Sequence, residues 1–354
     1  MSEASIASFD VNKVIAKSAY NVERDELLAY YHEVYKHRLD TLPFNWEWQN
    51  RTDFINKNGP LLLEYNGKVI GHLGMMPFQI IVGDKTLHGQ WLIDFSIHPD
   101  YRRLGLGNVI TKAWMELADV NVTCCNYKAI EIFKKIGWRA GANSHILFLF
   151  IKPFNHPRIG KKMPIGIKKI ANTAFLILNW VLCRMFGSPK VNVSELKEHD
   201  LYRLSHKINN TEKLFFGGVR DYNFFKWRLL ESPDRKHYRL VEIDGKYALI
   251  KLMSEDRNYV DLLFIDRPAT FKQMLKIHAS IGLWSLNEGY DYVRSFSSDI
   301  KLTKYLKSKL LMRTVYHHYA FHSSNQSLMD QIAEMPHIWD LGDSDFEKYY
   351  PHHQ

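Results

Sequence analysis

The chain predicts an α/β protein, more closely a mixed α+β one, built from two copies of one unit. Three correspondences within its 354 residues carry that prediction. First, LLLEYNGKVIG at 61–71 and RLVEIDGKYAL at 239–249 both read as strand, two-residue turn, strand. Asn66-Gly67 and Asp244-Gly245 supply residues that tolerate φ > 0, as tight hairpins require. Second, each hairpin is followed by a strand that ends near a proline, LIDFSIHP at 92–99 and VDLLFIDRP at 260–268, and then by a long helix. Third, NVTCCNYKAIEIFKKIGW at 121–138 is matched by YVRSFSSDIKLTKYLKSKLL at 292–311, strand then amphipathic helix in both. Tryptophan-bearing helical pieces precede each hairpin, FNWEWQNR at 44–51 and FFKWRLLESP at 224–233. A shared order of elements is harder to reach by chance than any single match. The expected organisation is a domain over 1–153, a basic linker with an apolar helix over 154–190, a second domain over 191–330 and a C-terminal tail over 331–354.

Composition bounds the function class. At 46% hydrophobic and 24% charged the chain can bury a large core, as an ordinary globular protein does. Its net charge of +9 would suit nucleic acid, anionic lipid or a polyanionic cofactor. Solvated lysines account for it equally well, so no nucleic-acid partner is expected. Three cysteines, two of them adjacent, do not form a disulfide framework. Met1 to Asp10 carries neither a basic start nor an apolar core, so no secretory signal is expected and the expected compartment is cytoplasmic. In the linker, residues 170–183 carry no charge and are too short for a comfortable membrane span of about 20 apolar residues. Only Asn172, Thr173 and Asn179 interrupt their apolar surface, so burial between the domains is the expectation. The alternative is a helix lying on anionic lipid, held by Lys161, Lys162, Lys168 and Lys169.

The stretch HPDYRRLGLG at 98–107 joins a strand to the helical pattern that follows. Arg102-Arg103-Leu104-Gly105-Leu106-Gly107 leads into a helix whose first backbone N–H groups lack intrahelical partners. Those donors, the positive helix end and two arginine forks make a site for an anion such as a pyrophosphate. The glycines keep Cβ atoms out of the way. The pattern is neither GxxxxGK[ST] nor GxGxxG, which argues against nucleoside triphosphate and dinucleotide loops.

Arg102-x-x-Gly105-x-Gly107 after a strand, with Asn126-x-x-Ala129-Ile130 and Ile136-Gly137-Trp138 beyond it, resembles the GNAT superfamily of CoA-dependent N-acetyltransferases. The run VIGHLGMMPFQIIVGDKTLHGQWLIDFSIHPDYR is also similar to the first domain of the enhanced intracellular survival group of tandem GNAT proteins. The resemblance implies two GNAT-like domains, each a twisted mixed sheet flanked by helices. It implies acetyl-CoA as acyl donor, with Arg102, Arg103, Leu104, Gly105, Leu106, Gly107 and Asn108 around the pyrophosphate. Phe95, Ser96 and Ile97 would lie along the pantetheine arm, with Asn126, Ala129 and Phe133 beside the thiol. In the second copy Asp266-Arg267-Pro268 is followed by ATFKQML, without the arginine-led loop or its glycines. That domain is expected to be degenerate, completing the acceptor pocket or supporting the first.

Acyl transfer to an amine needs a neutral amine, a donor for the oxyanion and an acid for the leaving thiolate. A backbone N–H of strand 94–97 is the expected oxyanion donor. Asp94, a carboxylate in an otherwise apolar strand, is the expected base. His72 on the adjacent strand could shuttle the proton, although a packed histidine explains it too. The resemblance puts a tyrosine four residues after Ala129, where this chain has Phe133; water, Tyr127 or no acid takes that part. Cys124 and Cys125 lie near the expected thiol but have no visible His partner set, so they read as structural. YHHYAFH at 316–322 alternates its histidines across a strand without Cys or carboxylate, so no metal is expected. The expected activity is N-acetyl (acyl) transfer from acetyl-CoA to a small-molecule amine, such as an amino sugar of surface polysaccharide. The alternatives are a non-catalytic CoA-binding or scaffold protein and an aminoacyl transferase of Fem type.

Overall fold

In the computed structural model, residues 9–18, 24–35, 60–125, 127–141, 144–160, 162–188, 190–208, 214–253, 258–267 and 269–343 are described. The helical piece expected at 44–51 lies outside them. The first half runs β1 (Ile15–Ser18), α1 (Arg24–Tyr35), β2 (Leu61–Tyr65), β3 (Lys68–Val82), β4 (Lys85–Ile97), α2 (Leu106–Met115), β5 (Val120–Cys125), α3 (Tyr127–Lys135), β6 (Arg139–Ala140) and β7 (Ser144–Phe150). A long helix, α4 (Ile165–Phe186), leads to β8 (Asn192–Glu195), α5 (Glu198–Ile208) and β9 (Phe216–Gly218). After a short helix Tyr222–Phe225 that continues as a π turn, the chain forms β10 (Tyr238–Ile243), β11 (Lys246–Met253), β12 (Tyr259–Ile265) and α6 (Phe271–Asn287). It closes with β13 (Tyr292–Ser297), α7 (Ile300–Lys309), β14 (Met312–His322), α8 (Gln326–Glu334) and β15 (His337–Ile338).

Both expected hairpins form. Asn66 and Gly67 turn at φ 51° and 76°, Asp244 and Gly245 at 50° and 76°, the doubly left-handed turn that matches strand twist. The strands join in one sheet, ordered β1-β2-β3-β4-β5-β14-β7-β13-β12-β11-β10-β8. The pairing sense reads the same from either end: three antiparallel steps, one parallel step at β4–β5 or β13–β12, and three antiparallel steps across the middle. Two similar units that trade their last strands give that order. β7 leaves the first half to pair with β13, and β14 returns to pair with β5. The fold is a mixed α/β sheet of two GNAT-like units flanked by helices.

This exchange runs across the chain order that the expected boundaries follow. One apolar core takes Leu62, Trp91 and Val122 from the first half together with Phe225, Leu240, Phe264 and Trp339. A second lies under α2 and α3 around Ile110, Trp114 and Trp138, and a third between the second half of the sheet and α4, α6 and α7. The segment read as a C-terminal tail is packed as far as 343: Ile332, Trp339 and Leu341 are fully buried, and β15 pairs with β9, which pairs with the end of β3.

The linker helix corrects its expectation. α4 forms, but only Asn179 and Cys183 along it are buried. The buried side is therefore narrow: Phe175, Leu176 and Leu182 are half-buried, while Ile170, Ile177, Leu178, Trp180 and Val181 stand outside.

Candidate active site

The site begins where the sheet parts. β4 and β5 pair in parallel from Gly89 with Val120 to Leu92 with Thr123 and no further, while β4 runs on to Ile97. Beyond Thr123, β5 is joined from its other side by β14. Residues 95–97 thus keep their β3 partners on one edge and face an opening on the other. At the mouth of this parting β4 bulges. Its pairing with β3 steps from Ile93 opposite Gly74 to Phe95 opposite Leu73, which leaves Asp94 as the extra residue at φ 53°. Such bulges redirect a strand and re-aim a side chain.

His72 holds the bulge from behind. It is fully buried, with Nδ1 at 2.9 Å from the Asp94 carbonyl and Nε2 at 2.6 Å from the Tyr31 hydroxyl. A carbonyl oxygen only accepts, so His72 Nδ1 donates to it, and Nε2 is left to the Tyr31 hydroxyl. Next to this pair the Tyr30 hydroxyl lies 3.0 Å from Ser96 Oγ, and burial pushes the Tyr30 phenol up to about 12. Glu33, on the same helix, accepts from His98 at 2.6 Å, and that contact holds its carboxyl below the ordinary range. α1 therefore clamps β3 and β4 at the bulge. Sequence reasoning missed these residues because nothing in RDELLAYYHEVY distinguishes a clamp from an ordinary amphipathic helix.

The loop after β4 turns through a short 3-10 segment, Pro99–Tyr101, and enters α2 at Gly105. Gly105 sits at φ 79°, and no side chain caps the helix. A Cβ on Gly105 would meet nothing within 4 Å, so its conformation rather than crowding demands glycine there. On Gly107 a Cβ would touch the Phe95 ring at 3.4 Å. Arg102 and Arg103 are exposed beside this end, with Arg102 Nε donating to the Ile97 carbonyl at 3.1 Å. The result is an open, positively poled helix end flanked by two guanidinium groups.

One cleft of about 690 Å³ joins these parts. Its walls are Phe95, Ser96 and Ile97 from β4, Arg102, Arg103 and the run from Gly105 to Asn108 at the loop and α2, and Ala129 and Phe133 from α3. Val34, Tyr101, Thr111, Ile132 and Ile136 also line it and were not anticipated. Leu104 packs into the apolar cluster beneath the loop. Asn126 lies outside the described residues, as does the side chain of Tyr127 at the start of α3. Burial pushes the Cys125 thiol up to about 12, a value at which it is no nucleophile at neutral pH. Burial also takes His317 down to about 4, and among the described residues no three His, Cys, Asp or Glu side chains gather as a metal set.

The second half has the same parting with different contents. β12 and β13 pair in parallel only from Tyr259 with Tyr292 to Asp261 with Arg294, where a buried, forked ion pair closes the register at 2.7 and 2.6 Å. The helix that follows, α6, is capped by its own residues: the Thr270 side chain accepts from Gln273 N, and Gln273 accepts from Thr270 N. The turn Leu341–Asp343 packs against both β12 and β13. Arg267, at the position of the loop, gives its NH2 to Asp340 at 2.9 Å. Here the helix end is closed by its own cap, and the turn Leu341–Asp343 covers the strands that part.

Residues 21–138 match the model of the acetyltransferase (GNAT) family. Two GCN5-related N-acetyltransferases have similar structures, one from Kribbella flavida (10% identity, TM-score 0.55, 88% of this chain and 72% of that one) and one from Anabaena variabilis (12%, 0.54, 88% and 73%). Saccharomyces cerevisiae N-myristoyltransferase, solved with bound myristoyl-CoA and inhibitors, is similar at 12% identity and a TM-score of 0.58 over 89% of this chain and 80% of that one. No curated protein matches in sequence. The structural likeness spans both halves, whereas the family match falls on the half with the open helix end and the cleft. The chain thus carries a stretch, residues 21–138, that matches the acetyltransferase (GNAT) family, within a fold similar to that of known N-acyltransferases.

Proposed function

We propose that the protein transfers an acetyl group from acetyl-CoA to the amine of a small molecule, with amino sugars the first class to test. The observation that carries this reading is the pairing of an uncapped helix end with an unpaired strand edge in the first half alone. The fit to a CoA-type donor is chemical. Orphan N–H groups, Gly105 and the two arginines suit a pyrophosphate, and the free edge of 95–97 suits an amide-bearing arm that can pair as a strand does. When bound, the donor supplies an acyl group activated as a thioester. Val34, Phe95, Ile132 and Phe133 give the cleft an apolar part to its lining.

Asp94 is proposed as the base that takes the proton from the acceptor amine as the new C–N bond forms and the C–S bond breaks. The bulge supports that role: Asp94 does not itself line the cleft, but it is half-buried and next in the chain to Phe95 of the cleft wall, and His72 and Tyr31 fix its backbone. A backbone N–H in 94–97 is proposed to meet the oxyanion. Phe133 has no proton to give, so the departing thiolate leaves without an acid or takes its proton from water or from Tyr127. Phe133 also favours a second reading, a protein that binds acyl-CoA without turnover; that reading predicts donor binding with no release of free thiol over a panel of amines. Three free cysteines, two of them buried, fit the proposed cytoplasmic location.

Isothermal titration with acetyl-CoA should give one site per chain. Gly105→Val should weaken it at least tenfold, since a β-branched residue at φ 79° costs about 1–2 kcal/mol or more. Gly245→Val strains a comparable turn at φ 76° in the second half and should leave the affinity unchanged. Two sites per chain would overturn the reading that only the first half binds the donor.

A further inference from the structure

We propose that α4 lies on an anionic lipid surface, with its outer face seated at the boundary between headgroups and acyl chains. Three observations lead there, and none depends on the proposed activity.

The first is that the helix wears its polarity inside out. Its inner side is held to the protein by polar groups: Asn172 Oδ1 accepts from Phe154 N at 3.0 Å, and buried Asn179 donates to the Phe150 carbonyl at 2.6 Å. The outer side carries Ile167, Ile170, Ala174, Ile177, Leu178, Val181 and Met185, the three-and-four spacing of a single stripe. All are exposed, Ile170 at 75% and Met185 at 67%. Soluble proteins bury such a stripe; one left outward marks a contact surface.

The second is charge. Between residues 152 and 194 there are eight Lys and Arg and no Asp or Glu, so this segment holds nearly all of the chain's net +9. Lys162, Lys169 and Arg184 are exposed at the two ends of the helix. By the helical repeat, Lys169, Trp180 and Arg184 lie along one border of the apolar stripe. An apolar face bordered by cations and a tryptophan complements negatively charged headgroups over hydrocarbon. A second protein chain would have to bring its own concentration of carboxylates to match it.

The third observation fixes the mode. At 22 residues, with a mean hydropathy of 1.3 over an 18-residue stretch, the helix is long and apolar enough to cross a bilayer. However, its inner side packs along α6, with Cys183 buried there beside Gly282, and Asn179 is tied to β7. Spanning would tear the helix from the sheet, so it lies in the plane of the surface.

The test uses the whole protein and two kinds of vesicle, phosphatidylcholine alone and phosphatidylcholine with phosphatidylglycerol. The protein should sediment with the anionic vesicles, and salt should reverse this as it screens the lysines. The triple change Ile170→Asp, Ile177→Asp and Val181→Asp should abolish sedimentation with little shift in the melting temperature, because these side chains are exposed and belong to none of the apolar cores. Lys162→Gln, Lys169→Gln and Arg184→Gln together should weaken it roughly a hundredfold. If the aspartate variant fails to fold, fluorescence decides: anionic vesicles should shift the parent's emission to the blue, and Trp180→Phe should lose most of that shift. A parent that stays in the supernatant with both vesicles overturns the proposal. A parent dimer in ultracentrifugation that binds no vesicles and becomes a monomer with the aspartates would assign the face to a second copy instead.

Discussion

Asp94→Asn is expected to lower turnover of a good amine acceptor by about 10² to 10⁴ while the affinity for acetyl-CoA stays within a factor of two or so. The substitution isolates charge from shape. Asp94 sits at φ 53° in a bulge, and asparagine is the other non-glycine residue that adopts this conformation with little penalty. Its carbonyl, which His72 Nδ1 contacts, is unchanged, so the bulge and the strand edge at 95–97 remain in place. The donor is held by the loop and α2, outside the reach of the change. What is lost is a proton acceptor, and the loss should therefore appear in kcat rather than in donor binding. It should shrink as pH rises and more of the amine is already neutral. Turnover unchanged at neutral pH would remove Asp94 from the mechanism. His72→Gln should act differently: with the contact to the Asp94 carbonyl altered, the bulge itself loosens, and donor affinity should fall together with kcat.

The sequence made the active half legible for physical reasons that can be named. Gly105 and the hairpin glycines occupy left-handed positions, where glycine carries the least backbone penalty. Strand, proline, arginine-led loop and helix are contiguous, so local pattern alone assembled most of the cleft. Residues brought in from a distance were invisible. Tyr30, Tyr31 and Val34 reach the site on a helix separated from it by the long connection before β2, and their spacing is that of any packed helix. Strand exchange was hidden for a related reason: YHHYAFH reads as a strand wherever it is inserted, and its two sets of partners, β7 and β5, are set by the sheet as a whole. The α4 expectation failed because an uncharged apolar run has the same periodicity whether core or lipid is to cover it. Only the placement of Asn172 and Asn179 toward the protein separates the two.

Arg220→Met is expected to cost about 3–5 kcal/mol in stability, the effect of breaking a buried ion pair from one side. Arg220 is 2% exposed and forks onto Asp343 at 2.8 and 2.5 Å, with a further contact to Asp340 at 3.1 Å. Methionine keeps most of the aliphatic stem and removes the guanidinium group, which forks onto Asp343 and lies over the Phe264 ring. Asp340 retains Arg267, but Asp343 is left buried without its cation. Burial already pushes the Asp343 carboxyl upward, and Arg220 opposes that push. In the variant the opposition is gone, and folded Asp343 binds its proton more tightly than the unfolded chain does. The deficit should then be smallest below the ordinary carboxylate value near ~3.9 and should grow as pH climbs through the raised folded value. Urea titrations at several pH values measure this without screening the charges. Because Leu341–Asp343 plugs the second parting of the sheet, the same variant should become sensitive to protease near its C-terminal end before the rest of the chain unfolds. Adding Asp343→Asn should return most of the lost stability, since a neutral amide no longer needs a counter-charge. A double variant as unstable as the single would place the cost in lost packing of the arginine stem and would show that the plug is held by shape, not by charge.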